Sequence, residues 1–458
     1  MSQYTSDLIK KAAKYIPGAS YYTLGSNLPG LPEFIIEKGS GPYVYTTDGT
    51  KMLDVTLAHG SLILGHSNKV ISEAVKKQIS LGTALTNITK PAIELAELIV
   101  DTVPCADKVR IVNSGTEASI LAVRLVKAAT GKEKILKFEG AYHGFADNLI
   151  FNTNYGKPNE WFPYPKASSD TLGVPEEQAK TVLIAPYNNL DITSKIIDEN
   201  IGDLAGIIVE PVMRGINSQT EFLKGLRVIC DKYKTPLIFD EVITGFRISL
   251  GGAQEYFGVT PDLSIYGKSL GAGYPIGAVV GKDALMRYLD PSSENGDHIF
   301  SIGSFHSNPL CSTAALYCIK ELQKNASYEK LNDYGDGLRS GLSKIFKQYE
   351  LPHFMTGVGS IIEFFFTSKP VTDYKSSIRS NLGLKELIGS KMSEFKVVGG
   401  GGRYTSSTMH GIKELDWMLD AVELSLDNAR ITGAVSYTHL RAPETEADLV
   451  CRLLLEKK

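Results

Sequence analysis

No run of the sequence approaches about 18 uninterrupted apolar residues, the length a membrane-crossing helix needs, so no span is expected. The first residues, MSQYTSDLIKKAAKYIPG, carry neither an apolar stretch nor a small-residue cleavage site, and no secretory signal is read there. Cysteine is scarce: the five present are scattered, with no C-x-x-C pair and no metal-like spacing. A disulfide framework and a metal centre are therefore not expected. Cys311 and Cys318 lie on an apolar helical pattern and read as reduced core residues. An excess of positive charge is also missing; the formal net charge of −3 leaves no footprint for nucleic acid. Internal repeats and low-complexity linkers are not seen. What is present is 43% hydrophobic and 22% charged, an ordinary balance for a soluble globular chain. Its 458 residues can bury a large core and fill two or three domains. A cytoplasmic protein that handles small molecules, with no membrane or nucleic-acid partner, is the expectation.

From about residue 105 to 285 short β-rich runs alternate with helical stretches. The strand candidates are KVRIV, KILKF, TVLIA, LAGIIVE, TPLIFDE, LSIYG and IGAVVG, with helical segments such as EASILAVRLVKAAT and LKGLRVICDKYK between several of them. That alternation predicts an α/β fold with a mostly parallel central sheet. Ligands bind beyond the carboxyl ends of such strands. Ahead of this core, EFIIEKGSGPYVYTTDGTKMLDVTL predicts a small antiparallel meander turning at Asp48-Gly49. Behind it, SNPLCSTAALYCIKELQK opens a long helix, followed by an α+β segment that closes near DWMLDAVELSLDNAR. The expected division is residues 1–58 and 316–434 in a smaller α+β domain built from both ends, and 59–315 in the large one.

The stretch LSIYGKSLGAGYPIG places one lysine where a strand opens into glycines. A P-loop would need a glycine where Asp262 stands, and a dinucleotide fingerprint would need one at Ile276. Both fail. A lysine desolvated at a strand end has a lowered pKa, and its neutral amine can form a Schiff base, so Lys268 is the candidate for covalent chemistry. Two other strand ends stand out. IVNSGTEAS runs through Asn113-Ser114-Gly115-Thr116 into a helix, either a phosphate site or a plain N-cap. PLIFDEVITGFR ends an apolar strand on Asp240-Glu241, a charge that needs a cation: a protonated ring nitrogen, or Arg247. A phosphate cradle, a carboxylate for a pyridinium and a Schiff-base lysine together make a pyridoxal phosphate site.

The segments NSGTEA, EGAYHGF, VEPV, FDEVITGFR, PDLSIYGKSLGAGYPIGAVVG and GSFHSNPL carry a more specific likeness. Over roughly residues 8 to 430 the chain resembles the class III aminotransferases of fold type I, especially the branch containing glutamate-1-semialdehyde aminomutase. The resemblance implies pyridoxal 5'-phosphate as cofactor, with Lys268 as its Schiff-base partner and proton carrier and Asp240 on the ring nitrogen. It puts Val242 under the ring, Tyr142 over the other face with His143 beside it, and Ser114, Gly115 and Thr116 on the phosphate. It also implies a homodimer with its site at the subunit interface. The family's threonine from the neighbouring subunit corresponds here to Ser304, which keeps the hydroxyl.

Some positions depart from the family. Its aminomutases hold the substrate carboxylate with an arginine in an N-terminal Pro-Gly-Gly segment; here the segment is IPGASYYTLGSNLPG, and no arginine occurs before Arg110. Tyr21 and Tyr22 stand roughly in its place, as substrate contacts or as packing. Gly215 of VEPVMRGIN stands where the family often has an asparagine. Glu210 of VEPV gates the substrate or pairs with an arginine, and Arg403 of GGGGRYTSS is either a substrate-carboxylate cation or half of a salt bridge. The leading expectation is a transaminase passing an amino group from an amine or amino acid to a separate carbonyl compound, with glutamate-1-semialdehyde a poor substrate. An aminomutase is the alternative, and a non-catalytic cofactor-binding protein is disfavoured because Lys268 and Asp240 are both present. Beyond Ala434, SYTHLRA resembles a translated sequencing adapter, so residues 435–458 are set aside as a non-native tail. The alternative for them is an amphipathic last helix.

Overall fold

All seven strands anticipated between residues 105 and 285 join one sheet. A computed structural model describes residues 2–19, 33–153, 164–292, 298–324, 326–399 and 403–431. Across the sheet the order is β4 (Lys108–Val112), β12 (Gly277–Gly281), β11 (Leu263–Tyr266), β10 (Leu237–Asp240), β7 (Leu204–Val209), β5 (Lys134–Phe138) and β6 (Val182–Ala185). Only β12 runs against its neighbours, β11 and β4; the other pairings are parallel. Parallel strands are covered on both faces, which is why LAGIIV and LIFD lack polar alternation and are buried throughout. Ile208, Ile238 and Ile265 pack on one face against Leu121 and Val126 of the helix Gly115–Thr130. The alternate residues Ile207, Val209, Leu237 and Phe239 pack on the other, against Phe222 and Leu226 of the helix Thr220–Tyr233. Each such side chain contributes about 1.5–3 kcal/mol on full burial, so a charge at Ile238 would disrupt the centre of the sheet.

The meander forms as expected from β1 (Ile36–Ser40), β2 (Tyr43–Thr46) and β3 (Lys51–Asp54), turning through Gly49 at φ 84°. A strand from the far end of the chain, β15 (Val397–Val398), adds to β3 in parallel, so both ends of the chain share this sheet. Nearby, β13 (Phe354–Thr356), β14 (Ile361–Phe365) and β16 (Arg403–Thr405) make a second antiparallel sheet. Helices Ser327–Gln348 and Ile412–Ile431 flank it. A short hairpin, β8 (Val212–Met213) and β9 (Ile216–Asn217), follows β7. Cys311 and Cys318 are buried, unpaired residues of the helix Pro309–Leu322. Among the described residues no helix is long and apolar enough to cross a membrane, and no cluster of metal-ligating side chains occurs.

Candidate active site

Five of the parallel strands deliver their following residues to one end of the sheet. β4 leads to Ser114-Gly115-Thr116, β5 to Tyr142-His143, β7 to Glu210, β10 to Asp240-Val242 and β11 to Lys268. Glycines let these turns touch. A Cβ on Gly277 would lie 2.3 Å from the Ser114 carbonyl oxygen, and one on Gly115 would lie 3.0 Å from Val242. Gly144, at φ 89°, brings the Tyr142-His143 loop so close that a Cβ would sit 2.6 Å from Thr116 Oγ1.

Ser114 N-caps the sixteen-residue helix Gly115–Thr130, its Oγ accepting from the Glu117 N–H at 3.1 Å. The N-cap reading of this serine is thus observed. Gly115 and Thr116 open this helix, and first-turn N–H groups lack intrahelical partners, so such a helix start can receive an anion. Asp240 is 5% exposed and does not pair with Arg247. Its Oδ2 accepts from His143 Nδ1 at 2.6 Å, and its Oδ1 from the Val242 N–H at 3.0 Å. His143, expected against the cofactor, lies buried behind this carboxylate, and its Nε2 has no hydrogen-bond partner. Arg247 instead donates to Ser360 Oγ, the Ser406 carbonyl and the Gly60 carbonyl. The intervening turn carries it away from the carboxylates it follows in sequence. Glu241 is also buried, accepting from Thr244 Oγ1 and the Ala253 and Gln254 N–H groups, and burial pushes its pKa up to about 7.

Lys268 has left-handed backbone, φ 42°, the kind of local cost that persists where surrounding structure over-determines a functional residue. Its amine is lowered to about 8, first by desolvation and then by the charge of Arg403, against the opposing fields of Asp240 and Glu210. Arg403, half-buried on β16, stands opposite Glu363, which pairs with Lys385 at 2.5 Å and also feels the charge of Arg403. Tyr142 is 43% exposed, and its phenol is raised first by burial. Glu210 is buried just after β7. It accepts the backbone N–H groups of Tyr142 (2.7 Å) and Arg214 (3.4 Å), fixing two loops together. Val242 is half-buried beside Gly115. Ser304 is exposed, between exposed Ile302 and Phe305. Tyr21, Tyr22 and residues 435–458 lie outside the described residues.

One neighbour carried no sequence signal. After β3 the backbone takes φ values of 50°, 52° and 56° at Leu57, Ala58 and His59. Asp54 Oδ1 accepts the Thr56 and Leu57 N–H groups, Thr405 Oγ1 donates to the Thr56 carbonyl, and Ser269 Oγ and Arg247 donate to that of Gly60. The turn so pinned sets His59 near the lysine: desolvation, then Lys268 and Arg403, lower its pKa.

A buried carboxylate backed by a histidine, an open helix N-terminus and a depressed lysine share one end of the sheet. The family model for class-III aminotransferases matches residues 27–387. The chain belongs to this family. It is 40% identical over 385 residues to glutamate-1-semialdehyde 2,1-aminomutase of Bacillus subtilis, covering 82% of this chain and 86% of that one. An omega-transaminase from Sphaerobacter thermophilus superposes with a TM-score of 0.88 at 32% identity, covering 93% of this chain and 98% of that one. A glutamate-1-semialdehyde aminomutase from Pseudomonas aeruginosa PAO1, in complex with PMP, shares the fold at TM-score 0.83 and 17% identity, covering 93% and 94%. This class-III aminotransferase is a pyridoxal phosphate-dependent enzyme of fold type I. The residues fit the cofactor: Asp240 keeps acceptor capacity for a ring N–H, and any residue larger than glycine at 115 would crowd Val242 beside the helix start.

Proposed function

We propose that this enzyme moves an amino group within one molecule, as a glutamate-1-semialdehyde 2,1-aminomutase. The observation that carries the reading is the 40% identity to the Bacillus subtilis aminomutase, extended over 82% of the chain. It favours the alternative in the sequence analysis over transfer between two molecules, and turns round the expectation that glutamate-1-semialdehyde is a poor substrate.

In this reading Ser114, Gly115 and Thr116 hold the phosphate, Tyr142 and Val242 flank the ring, and Asp240, oriented by His143, holds the ring nitrogen protonated. When bound, pyridoxal phosphate supplies a carbonyl for the substrate amine and a ring that draws electrons from the amine-bearing carbon. Lys268 moves the proton. With its amine lowered to about 8, an appreciable fraction is neutral near neutral pH, so Nζ can take a proton from a substrate carbon and return it. An aminomutase needs this at two adjacent carbons, and the long lysine stem reaches both. Glu210 keeps the ring-covering loop in place while the substrate turns over. The reading includes a homodimer. Phe300, Ile302 and Phe305, at 74%, 78% and 62% exposure, form an apolar strip around Ser304 that a second subunit would cover.

A second reading, intermolecular transamination, is favoured by one observation: residues 1–109 contain no arginine for the substrate carboxylate. The deciding experiment supplies holoenzyme with glutamate-1-semialdehyde and no added amino acceptor. Catalytic formation of 5-aminolevulinate over many turnovers is expected. Failure to form it, with turnover restored by a separate amine and keto acid, would establish the second reading instead.

A further inference from the structure

Arg247 is 1% exposed, and the acceptors it meets, one hydroxyl and two backbone carbonyls, are neutral. Taking a guanidinium out of water against neutral groups is costly unless its donors are well satisfied. It lies on the turn after β10, where segments of all three larger sheets converge. Nη1 donates to Ser360 Oγ at 2.9 Å, just ahead of β14, and to the Ser406 carbonyl at 3.0 Å, just after β16. Nη2 donates to the Gly60 carbonyl, at the end of the left-handed turn that follows β3. A Cβ on Gly60 would stand 3.5 Å from Arg247 Nε, so the guanidinium lies along that turn.

A carbonyl oxygen has two lone pairs, and the one on Gly60 serves two donors. The second is Ser269 Oγ at 3.3 Å. Ser269 directly follows Lys268 and is fully buried, and its own carbonyl accepts from Cys318 Sγ at 3.2 Å. The residue after the lysine is thus held from two sides, on one of them by a carbonyl that Arg247 fixes. Lys268 itself stands at φ 42°, a conformation that a side chain with a Cβ leaves unless its neighbours hold it. From guanidinium to lysine the route is two hydrogen bonds and one peptide link.

We propose that Arg247 is a positioning residue for Lys268: by fixing the Gly60 carbonyl it sets Ser269, and with it the strained backbone from which the amine reaches the cofactor. Ser360 and Ser406 supply the other side of the grip, so the second antiparallel sheet takes part in placing an amine that the central sheet carries. The proposal rests on Lys268 as the reactive amine and holds for intramolecular and intermolecular transfer alike.

The test follows covalent capture of pyridoxal phosphate by the full chain freed of cofactor, read from visible absorbance and fixed with borohydride. At saturating cofactor the first-order capture rate is expected to fall about 10- to 100-fold in Arg247→Gln. Arg247→Lys keeps the charge but cannot bridge three acceptors, and should recover part of that loss. Ser269→Ala removes only the hydroxyl link and should slow capture about 3- to 10-fold. Added to Arg247→Gln it should cost little more, because both act through one carbonyl. Arg339→Gln is the control: Arg339 donates to the Gly359 and Ile361 carbonyls on either side of Ser360, and its loss should leave capture unchanged. The second readout is non-covalent cofactor affinity in a Lys268→Ala background, which Arg247→Gln should change by no more than about twofold.

Capture at the wild-type rate in Arg247→Gln would overturn the inference, as would full additivity with Ser269→Ala. Affinity lost in the Lys268→Ala background as heavily as capture is lost with the lysine present would also overturn it, leaving Arg247 as a support of the fold. Where Arg247→Gln does not fold, Arg247→Lys and Ser269→Ala carry the same comparison, and wild-type capture in both overturns it. Covalent capture that persists in Lys268→Ala alone would sink the reading of the lysine, and this inference with it.

Discussion

Two lysines of the central sheet make an instructive pair. Lys137 lies within β5 and Lys268 just beyond β11, with β10 and β7 between those strands. Burial lowers both amines, Lys137 to about 7 and Lys268 to about 8. Depression alone therefore does not single out either amine. Lys137 is 0% exposed, and its three N–H donors are all taken by the carbonyl oxygens of Ala141, Leu149 and Phe151. Those acceptors hold the proton against the pull of burial and shape the loop that carries Tyr142 and His143. Lys268 keeps some exposed area, meets an arginine's field, and stands at a strained backbone position among the strand ends. A depressed pKa marks a buried lysine; the donors and surroundings of the amine are what set these two apart.

The sharpest separation of the two comes from removing the reactive amine. Lys268→Ala is expected to keep the fold and bind cofactor without covalent attachment, with turnover lowered at least about a thousandfold. Activity near the wild-type level, measured in the aminomutase assay, would strip Lys268 of its role and dissolve the contrast. The complementary change, Lys137→Met, keeps the stem and deletes the ammonium, leaving the Ala141, Leu149 and Phe151 carbonyls without their donor. Unfolding of this variant in urea should shift to lower denaturant, by about 2–4 kcal/mol of stability. An unshifted midpoint would mean that water replaces the ammonium and that the loop does not depend on it.

The smallest effect concerns only the tuning of Lys268. Arg403→Gln removes a positive neighbour, so the protonated amine is less disfavoured and its pKa rises above about 8. Because the neutral amine is the reactive form, the rate at which apoenzyme captures pyridoxal phosphate rises with pH through this pKa. Its midpoint should move to higher pH in the variant, by about half to one pH unit. A midpoint that stays or falls would place Arg403 too far from Lys268 to act on it.

The sheet and the gathering of the candidate residues at its strand ends were legible because each strand is a short apolar run and each chemical group follows it directly. Ser114, Asp240 and Lys268 needed only local context: a cap before a helix, a carboxylate or an amine at the end of a buried strand. Lys137 was not legible, since in KILKF it reads as one more polar residue of a strand, and its acceptors converge only in the folded loop. His59 escaped for a different reason. Leu57 and Ala58 do not favour left-handed backbone, and the neighbouring Asp54 together with the distant Thr405 and Arg247 imposes it. Arg247 was left open as the partner of Asp240-Glu241, six residues on in the sequence. The turn between them reverses that proximity.

Arg247 also bears on how the protein is made. Its guanidinium joins the Gly60 carbonyl, early in the chain, to the Ser406 carbonyl, near the end of the described residues. On the ribosome the chain emerges from its amino end, so the whole central sheet can be out of the exit tunnel while Ser406 and the strand partner Val397–Val398 of β3 are still missing. During that interval Arg247 is a cation without part of its acceptor set, and the turn bearing His59 lacks the Thr405 bond that helps to hold it. Completion of the catalytic end of the sheet is therefore a late event in synthesis. A nascent chain halted before Thr405 would carry every cofactor residue and still lack a finished site.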